Sequence, residues 1–184
     1  GIGHLSIGVS TTLCKYVLLP YLKEFVNKNP HVKVSIYCQS SFETIEALEA
    51  GTIDIGLIGY PSSKNNLTYK HVMDIQDTFV ASSNYLNNFN LREKITKESL
   101  IENATFMMLN KENITRKYVD SYLSMDNTSL SNVIEVNNMD LLIDFAKTDL
   151  GISCVIKDFI TEDLESGSLK EVELIGKIQA RQIG

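Results

Sequence analysis

The sequence has no tryptophan, three prolines and three cysteines among its 184 residues. Cysteine is too sparse for a disulfide framework or a zinc site, since Cys14, Cys38 and Cys154 show no C-x-x-C spacing. We therefore expect three buried free cysteines in a reducing compartment, for which the cytoplasm is the best fit. The apolar fraction of 43% and the charged fraction of 22% exclude a disordered or fibrous chain.

Long hydrophobic runs and blocks of positive charge are also missing. No stretch approaches the roughly 18 consecutive apolar residues of a membrane span, and the N-terminus lacks the basic region that opens an export signal. We expect no membrane partner. The net charge is -6, and the 17 lysines and arginines are scattered along the chain. Because DNA binding needs a concentrated basic patch, this chain is not expected to contact nucleic acid itself.

The strong signatures of catalysis and metal binding are absent as well. The sequence contains no G-x-S-x-G elbow, no phosphate-binding G-x-x-x-x-G-K-S/T loop and no H-E-x-x-H pair. His4, His31 and His71 are isolated from one another, so we expect no metal site. Cys14 lies inside a helical pattern, which favours a small buried residue over a nucleophile. We accordingly predict no catalytic residue and no cofactor.

Apolar residues alternate or recur with helical spacing in an ordered series along the chain. In the first part, strands are predicted over 5–9, 31–38 and 53–58, with helices over 13–27 and between Ser40 and Gly51. In the second part, strands are predicted over 79–82, 105–109, 133–136 and 151–156, with helices over 96–102, 113–123, 138–147 and 158–164. Strands that alternate with helices in this way predict an α/β fold with mostly parallel sheets.

The domain organisation follows from segments that cross the middle of the chain. No internal repeat and no low-complexity linker divides the sequence. Strand-like segments near 75–80 and 176–182 cross any boundary, and two crossings imply that one lobe is discontinuous. We predict lobe I over 1–77 and 177–184 and lobe II over 78–176.

Hydroxyl and amide side chains cluster where predicted strands end and helices begin, at Ser10–Thr12, Ser40–Ser41, Asn113–Thr115 and Asn137–Asn138. One such side chain is enough to cap a helix, by accepting a hydrogen bond from a free backbone N–H. The excess favours a second role, since several helix starts that face one crevice form a site for an anion. Ligands of open parallel sheets bind outside the carboxyl ends of the strands, where these clusters fall. Capping and ligand contact both stay open for each residue.

Four stretches of the sequence carry a resemblance to a known family. They are GHLSIGVSTTLCKYVLLPYLKEFVNKNPHVKVSI, SFETIEALEAGTIDIGLIGYP, FMMLNKENITRKYVDSYL and LLIDFAKTDLGISCVI, the last followed by LESGSLKEV. The first two are the most specific, through the leucine-leucine-proline of the first helix and the pattern Leu48, Gly51, Asp54 and Ile55. The chain resembles the effector-binding domain of LysR-type transcriptional regulators, which has two Rossmann-like lobes in the type 2 periplasmic-binding-protein fold.

The resemblance implies which side chains line an effector cleft between the two lobes. From lobe I they are Ser10, Thr11, Thr12, Ser40 and Ser41, with Tyr60 as a further wall of the cleft. From lobe II they are Thr115, Arg116 and Asn137. The resemblance also implies that such domains pair, lobe one against lobe two, in homodimers and homotetramers.

The family differs from this sequence at both ends. Its members carry an N-terminal winged helix-turn-helix and a linker helix that are absent here, so DNA would be read only by that missing part. The family's first lobe also ends with a strand and a helix that fall beyond Gly184. Without them, we expect an open sheet edge.

The function that the resemblance implies is the sensing of a small polar or anionic metabolite. Binding between the lobes would modulate DNA binding by the full-length regulator. A solute-binding receptor of a membrane transporter is the alternative, and it predicts an export signal or a lipid-modified cysteine in the complete gene. An enzyme built on this fold is a third alternative, which the missing acid–base constellation disfavours.

Overall fold

A computed structural model of the chain describes residues 3–59 and 66–184. The chain forms two compact units: unit 1 comprises Gly1–Asp74 with Arg181–Gly184, and unit 2 comprises Ile75–Ala180. The lobe limits expected from the sequence, 1–77 with 177–184 and 78–176, stay a prediction beside these units. Within the described ranges, no helix has both the length and the apolar character that a bilayer span requires.

Unit 1 contains short strands and helices that alternate along the chain. The strands are β1 (His4–Val9), β2 (Lys33–Cys38), β3 (Ile55–Leu57), β4 (Met73–Ile75) at the unit boundary, and the C-terminal β10 (Arg181–Ile183). The helical segments are α1 (Thr11–Leu13), a π-helical turn (Cys14–Leu18), α2 (Leu19–Lys28) and α3 (Ser41–Glu49). The main sheet has the order β2-β1-β3, and a second sheet joins β10 and β4. Strand β1 runs parallel to both of its neighbours, so the carboxyl ends of all three strands lie at one edge.

The first helix is interrupted by a π-helical turn that ends at Leu18, two residues before Pro20. In this turn the Leu19 N–H donates to the Cys14 carbonyl, a spacing of five residues instead of four. Proline has no N–H to donate, and in a regular helix its ring would clash with the carbonyl of Tyr16. The wider turn therefore lets the helix continue through Pro20 to Lys28.

A pair of glycines lets helix α3 lie close against the sheet. Gly8 of β1 and Gly56 of β3 are register partners, and the buried side chain of Thr44 fills the space beside both. A Cβ at Gly8 would lie 2.7 Å from Thr44 Oγ1, and a Cβ at Gly56 would lie 2.4 Å from Thr44 Cγ2. Only glycine at these two positions allows this approach of the helix to the strands.

Asp54 ties the start of β3 to the middle of β1. Its Oδ2 accepts hydrogen bonds from the Ser6 N–H at 2.8 Å and from Ser6 Oγ at 3.0 Å. These bonds, the backbone one first, lower the pKa of the Asp54 carboxyl below its ordinary value. Because the folded state holds the charged form, Asp54 stabilises the fold above the ordinary carboxyl pKa, and this contribution is lost as the pH falls through the lowered pKa.

The acid stability of unit 1 is thus expected to depend on this carboxylate. We expect Asp54→Asn to lower the free energy of unfolding at neutral pH, and to make the loss of stability below about pH 4 shallower. Urea denaturation at a series of pH values measures both effects. Asp144→Asn is the matched control, since the exposed Asp144 carboxylate makes no hydrogen bond in the described part of the chain. Identical pH profiles for Asp54→Asn and the parent chain would contradict the assignment.

Unit 2 is built around a five-stranded mixed sheet. The strands are β5 (Asp77–Ala81), β6 (Phe106–Met108), β7 (Val133–Glu135), β8 (Ile152–Ile156) and β9 (Lys170–Glu171). The helices are α4 (Ser83–Arg92), α5 (Lys97–Asn103), α6 (Ile114–Met125), α7 (Met139–Lys147) and α8 (Thr161–Ser166), with a 3-10 turn at Lys157–Phe159. The order is β7-β6-β8-β5-β9. Strand β6 runs parallel to β7 and β8, whereas β5 runs antiparallel to β8 and β9.

The α/β class predicted from the sequence is confirmed, but helix α4 was not predicted. Its sequence, SNYLNNFNLR, is rich in asparagine, which has a modest helix propensity and hides the apolar pattern. Tyr85, Leu86 and Phe89 nevertheless pack into the core of unit 2. The overlooked signal is Ser82, whose side chain accepts a hydrogen bond from the Tyr85 N–H at 3.1 Å and starts the helix.

The core of unit 2 lies on both faces of the central strands β6 and β8. Phe106 is completely buried, and its ring meets the ring of Phe79 edge to face at a centroid distance of 6.1 Å. Helices α5 and α6 cover this face with Leu100, Val119 and Leu123. Side chains of α7, among them Leu142, are buried as well. The sheet of unit 2 is therefore held by a larger apolar interior than its short strands alone suggest.

Candidate ligand-binding site

Two of the predicted hydroxyl clusters lie side by side in unit 1. Val9, the last residue of β1, is the register partner of Cys38, the last residue of β2. Ser10 follows Val9 directly, and Ser40 follows Cys38 by two residues. Since neighbouring strands lie about 4.8 Å apart, helices α1 and α3 begin next to each other at the carboxyl edge of the sheet. The structure thus places Ser10–Thr12 and Ser40–Ser41 at neighbouring helix starts, and their contact with a ligand stays a prediction.

One serine in each cluster caps its helix. Ser10 Oγ accepts a hydrogen bond from the Leu13 N–H at 3.2 Å. Ser40 Oγ accepts one from the Glu43 N–H at 3.1 Å and donates to Glu43 Oε1, also at 3.1 Å. Capping satisfies one backbone donor at each helix start and leaves the neighbouring N–H groups oriented outward from the sheet edge.

The other hydroxyls of these two clusters do not cap a helix. The side chains of Thr11, Thr12 and Ser41 make no hydrogen bond in the part of the chain that the structure describes. Thr11 is exposed, and Thr12 and Ser41 are partly exposed. These three hydroxyls therefore remain available as neutral donors beside two positive helix ends, an arrangement that suits an anion. Tyr60, the fourth wall residue predicted for lobe I, lies outside the described residues.

The amide clusters of unit 2 occupy an equivalent edge. Strands β6 and β7 are parallel, with Met108 and Glu135 as register partners at their ends. Asn113 Oδ1 accepts from the Thr115 N–H at 2.8 Å and caps α6. Asn138 Oδ1 accepts from the Leu141 N–H at 3.1 Å and caps α7.

The predicted contacts Thr115 and Asn137 lie next to these two caps. Thr115 is half-buried in the first turn of α6, and Asn137 is exposed directly before the Asn138 cap. Their contact with a ligand stays a prediction.

Arg116, predicted as a ligand contact, is held inside unit 2. Its side chain is only 8% exposed. Nε donates to both carboxylate oxygens of Asp120 at 3.0 Å, and Nη1 donates to the Leu109 carbonyl at 2.7 Å. Glu135 Oε1 lies 3.6 Å from Nη1. The bond to the Leu109 carbonyl joins α6 to the residue after β6, so Arg116 fixes the β6–α6 connection. A direct role of Arg116 in ligand binding stays a prediction.

A depression in unit 2 was not predicted from the sequence. It has a volume of about 550 Å³ and is lined by residues 76–79, Lys157 and residues 171–178. Lys157 Nζ pairs with Glu171 Oε1 at 2.7 Å on its wall. Most of the lining comes from the irregular segment after β9, where the sequence carries no periodic signal. Among the described residues, no group of three or more His, Cys, Asp or Glu side chains could hold a metal ion.

The expectation that all three cysteines are buried is wrong for two of them. None of the three forms a disulfide bond within the described residues; Cys154 is buried, whereas Cys14 is half-buried and Cys38 is exposed. Cys38 ends β2, which lies at the edge of its sheet and, within residues 3–59 and 66–184, pairs with β1 alone. The apolar alternation of this strand suggested a buried face, but no residue of β2 is fully buried and its last two residues are exposed.

Comparisons with known proteins agree with this architecture. Residues 2–184 match the family model described as the LysR substrate binding domain. A probable RuBisCO transcriptional regulator from Thalassiosira pseudonana is 26% identical over 179 residues, which cover 94% of this chain and 57% of the relative. The chain therefore spans less than two thirds of the length of this relative.

Two solved structures illustrate the similarity of fold. The OxyR2 E204G regulatory domain from Vibrio vulnificus matches with a TM-score of 0.78 at 17% identity, over 98% of this chain and 84% of that chain. The CcmR regulatory domain from Synechocystis PCC6803, solved in complex with 2-PG, matches with a TM-score of 0.77 at 20% identity, over 98% and 85%. At these identities the likeness concerns the fold.

Proposed function

The chain belongs to the LysR substrate-binding domain family, and from this premise we propose that it is the effector-sensing part of a transcriptional regulator that responds to a small anionic metabolite. The observation that carries the anion preference is the set of three hydroxyls, on Thr11, Thr12 and Ser41, that the fold itself does not use. They stand beside two adjacent helix starts at the carboxyl edge of a parallel sheet.

The chemistry of this edge suits an oxyanion better than a cation or an apolar molecule. Backbone N–H groups and hydroxyls donate hydrogen bonds, and the helix dipoles add partial positive charge. The one acidic side chain in the first turn of α3, Glu43, is already engaged, because its carboxylate accepts a hydrogen bond from Ser40 Oγ. A ligand with carboxylate, sulfate or phosphate oxygens would replace solvent at these donors. The 2-PG bound by the CcmR domain makes this compound a first candidate.

The remaining parts of the proposal concern the full-length protein. We propose that DNA is bound through a helix-turn-helix outside this chain, since a relative from Escherichia coli is named an HTH-type transcriptional regulator. We further propose that the protein acts in the cytoplasm as a homodimer or homotetramer, as the family resemblance implies. We propose that the domain binds its effector without converting it. To control DNA binding, the effector must bind one conformation of the domain more tightly than another.

Isothermal titration calorimetry with sulfate, phosphate and 2-PG tests the proposed site. We expect at least one of these anions to bind, and Thr11→Val and Thr12→Val each to raise Kd at least about tenfold, the cost of a lost hydrogen bond to a charged group. Valine keeps the volume of threonine, and neither side chain caps the helix, so the folding of α1 should be retained.

Thr68→Val is the matched control for these variants. Thr68 is exposed in an irregular segment of unit 1 that belongs to neither helix start, and its side chain makes no hydrogen bond in the described ranges. The control should bind each anion as the parent chain does. If all three anions fail to bind a chain with a cooperative unfolding transition, or if the valine variants bind like the parent chain, the proposed anion site is wrong.

A further inference from the structure

Two cysteines meet at the carboxyl edge of the unit 1 sheet. Cys38 ends β2 and is exposed to solvent. Cys14 begins the π-helical turn that follows β1, four residues after Ser10, and its N–H donates to the Ser10 carbonyl at 2.9 Å. The register pairing of Val9 with Cys38 places the end of β2 beside this first turn. Two free thiols from different elements are thus held next to each other.

The two thiols interact with each other directly. Burial raises the pKa of the Cys14 thiol, and the charge and the hydrogen bonding of Cys38 raise this pKa further. The raised pKa keeps the proton on Cys14 beside the Cys38 sulfur, and Cys38 is the thiol of the pair that is exposed to solvent. Cys154 is buried in the core of unit 2 and belongs to a separate environment.

We propose that Cys14 and Cys38 form an oxidation site, in which a hydroperoxide reacts with Cys38 and Cys14 then closes an intramolecular disulfide bond. In the first step the Cys38 thiolate attacks the terminal peroxide oxygen, the O–O bond breaks, and the departing alkoxide takes a proton to leave as an alcohol or water. In the second step the Cys14 sulfur attacks the Cys38 sulfenic acid, the S–O bond breaks, and water leaves. The two thiols lose two electrons, which reduce the peroxide.

The geometry gives each cysteine a distinct part in this reaction. Exposure lets a peroxide reach Cys38, whereas the half-buried Cys14 is shielded and close enough to trap the sulfenic acid. A disulfide that forms only upon oxidation is the usual kind in reducing compartments. The bridge would join the segment just after Thr12 to the segment just before Ser40, and so tie the two helix starts together. It does not depend on the proposed effector.

Intact-mass analysis of the reduced chain after treatment with hydrogen peroxide tests the site. The parent chain and Cys154→Ser are expected to lose about 2 Da, with a peptide map that links Cys14 to Cys38. Cys14→Ser should stop at a sulfenic acid on Cys38, which dimedone captures. Cys38→Ser should react at least about tenfold more slowly, because the remaining thiol of the pair is protonated and shielded.

Three results would overturn the proposal. One is peroxide consumption by Cys38→Ser at the rate of the parent chain. Another is a disulfide that links only two separate chains. The third is oxidation of Cys38 in the parent chain to sulfinic acid without a bond to Cys14. Anion titrations are not needed for any of these measurements, so the oxidation site and the effector site can fail independently.

Discussion

Gly151→Ala is expected to lower the free energy of unfolding by about 2 to 4 kcal/mol, because the new methyl group meets backbone that cannot yield. A Cβ at this position would lie 2.4 Å from the Thr105 carbonyl oxygen and 3.2 Å from the Thr105 carbonyl carbon. The same oxygen accepts a hydrogen bond from the Ile152 N–H at 2.8 Å, where β6 and β8 come together. Relieving the clash would therefore weaken the pairing of two central strands of unit 2.

Urea denaturation of Gly151→Ala, followed by circular dichroism, measures this cost. The matched control is Gly176→Ala, since a Cβ at Gly176 would have no atom within 4 Å. The control is expected to change the free energy of unfolding by less than about 0.5 kcal/mol. Equal midpoints for the two variants would show that the Thr105 backbone moves aside easily, against the close packing described for this edge.

Phe106→Ala is expected to cost about 3 to 5 kcal/mol, the usual range for removing a buried aromatic ring from a core. Phe106 is completely buried in β6, and its loss would leave a cavity among Phe79, Val119 and Leu123. The edge-to-face contact with Phe79 would be lost as well. Since β6 has neighbours on both sides, the surrounding strands cannot easily close the gap.

Phe42→Ala provides the control for this substitution. Phe42 lies in the first turn of α3, and 70% of its surface is exposed. The same chemical change there is expected to alter the free energy of unfolding by less than about 0.5 kcal/mol. Thermal unfolding of both variants, with the parent chain as reference, distinguishes them. A Phe106→Ala variant as stable as Phe42→Ala would mean that the unit 2 core does not rest on this ring.

Local signals were sufficient to predict most helices and strands. The alternation of Leu5, Ile7 and Val9 and the capping side chains Ser40 and Asn113 mark elements that the structure contains at nearly the same positions. These signals involve residues within one turn or one strand, so they can be recognised in the sequence without knowing which elements pack together. The pairing of Arg116 with Asp120 is also readable, since the two residues are four apart on one helix.

Features that depend on distant partners could not be predicted in this way. The antiparallel direction of β5 is set by its pairing with β8, which lies more than seventy residues away in sequence, as the partners Asp77 and Ile156 show. The exposure of Cys38 follows from the position of β2 at the edge of its sheet, and the sequence of β2 alone does not show that position. The contacts of Arg116 with the Leu109 carbonyl and Glu135 likewise join separate elements.

The location of the candidate site at strand ends could be predicted from the sequence, but the role of each of its residues could not. The sequence shows a surplus of hydroxyls at strand ends, but only the structure separates the capping serines, Ser10 and Ser40, from Thr11, Thr12 and Ser41. The difference is one of backbone geometry at each helix start. The N-cap side chain folds over the first turn and accepts a hydrogen bond from one of its free N–H groups, whereas the side chains within the first turn project outward from the helix.

The π-helical turn at Cys14–Leu18 has a consequence for the orientation of the rest of that helix. One additional residue in a turn shifts every later side chain by about 100° around the helix axis relative to an uninterrupted α-helix. The partly buried Leu22 and Phe25 of α2 therefore face the protein only because this extra residue is present. Shortening the segment by one residue would swing those side chains into water while Thr11 and Thr12 kept their places. The additional residue thus allows the side chains at the start of the helix and those after the π-helical turn to be oriented independently of each other.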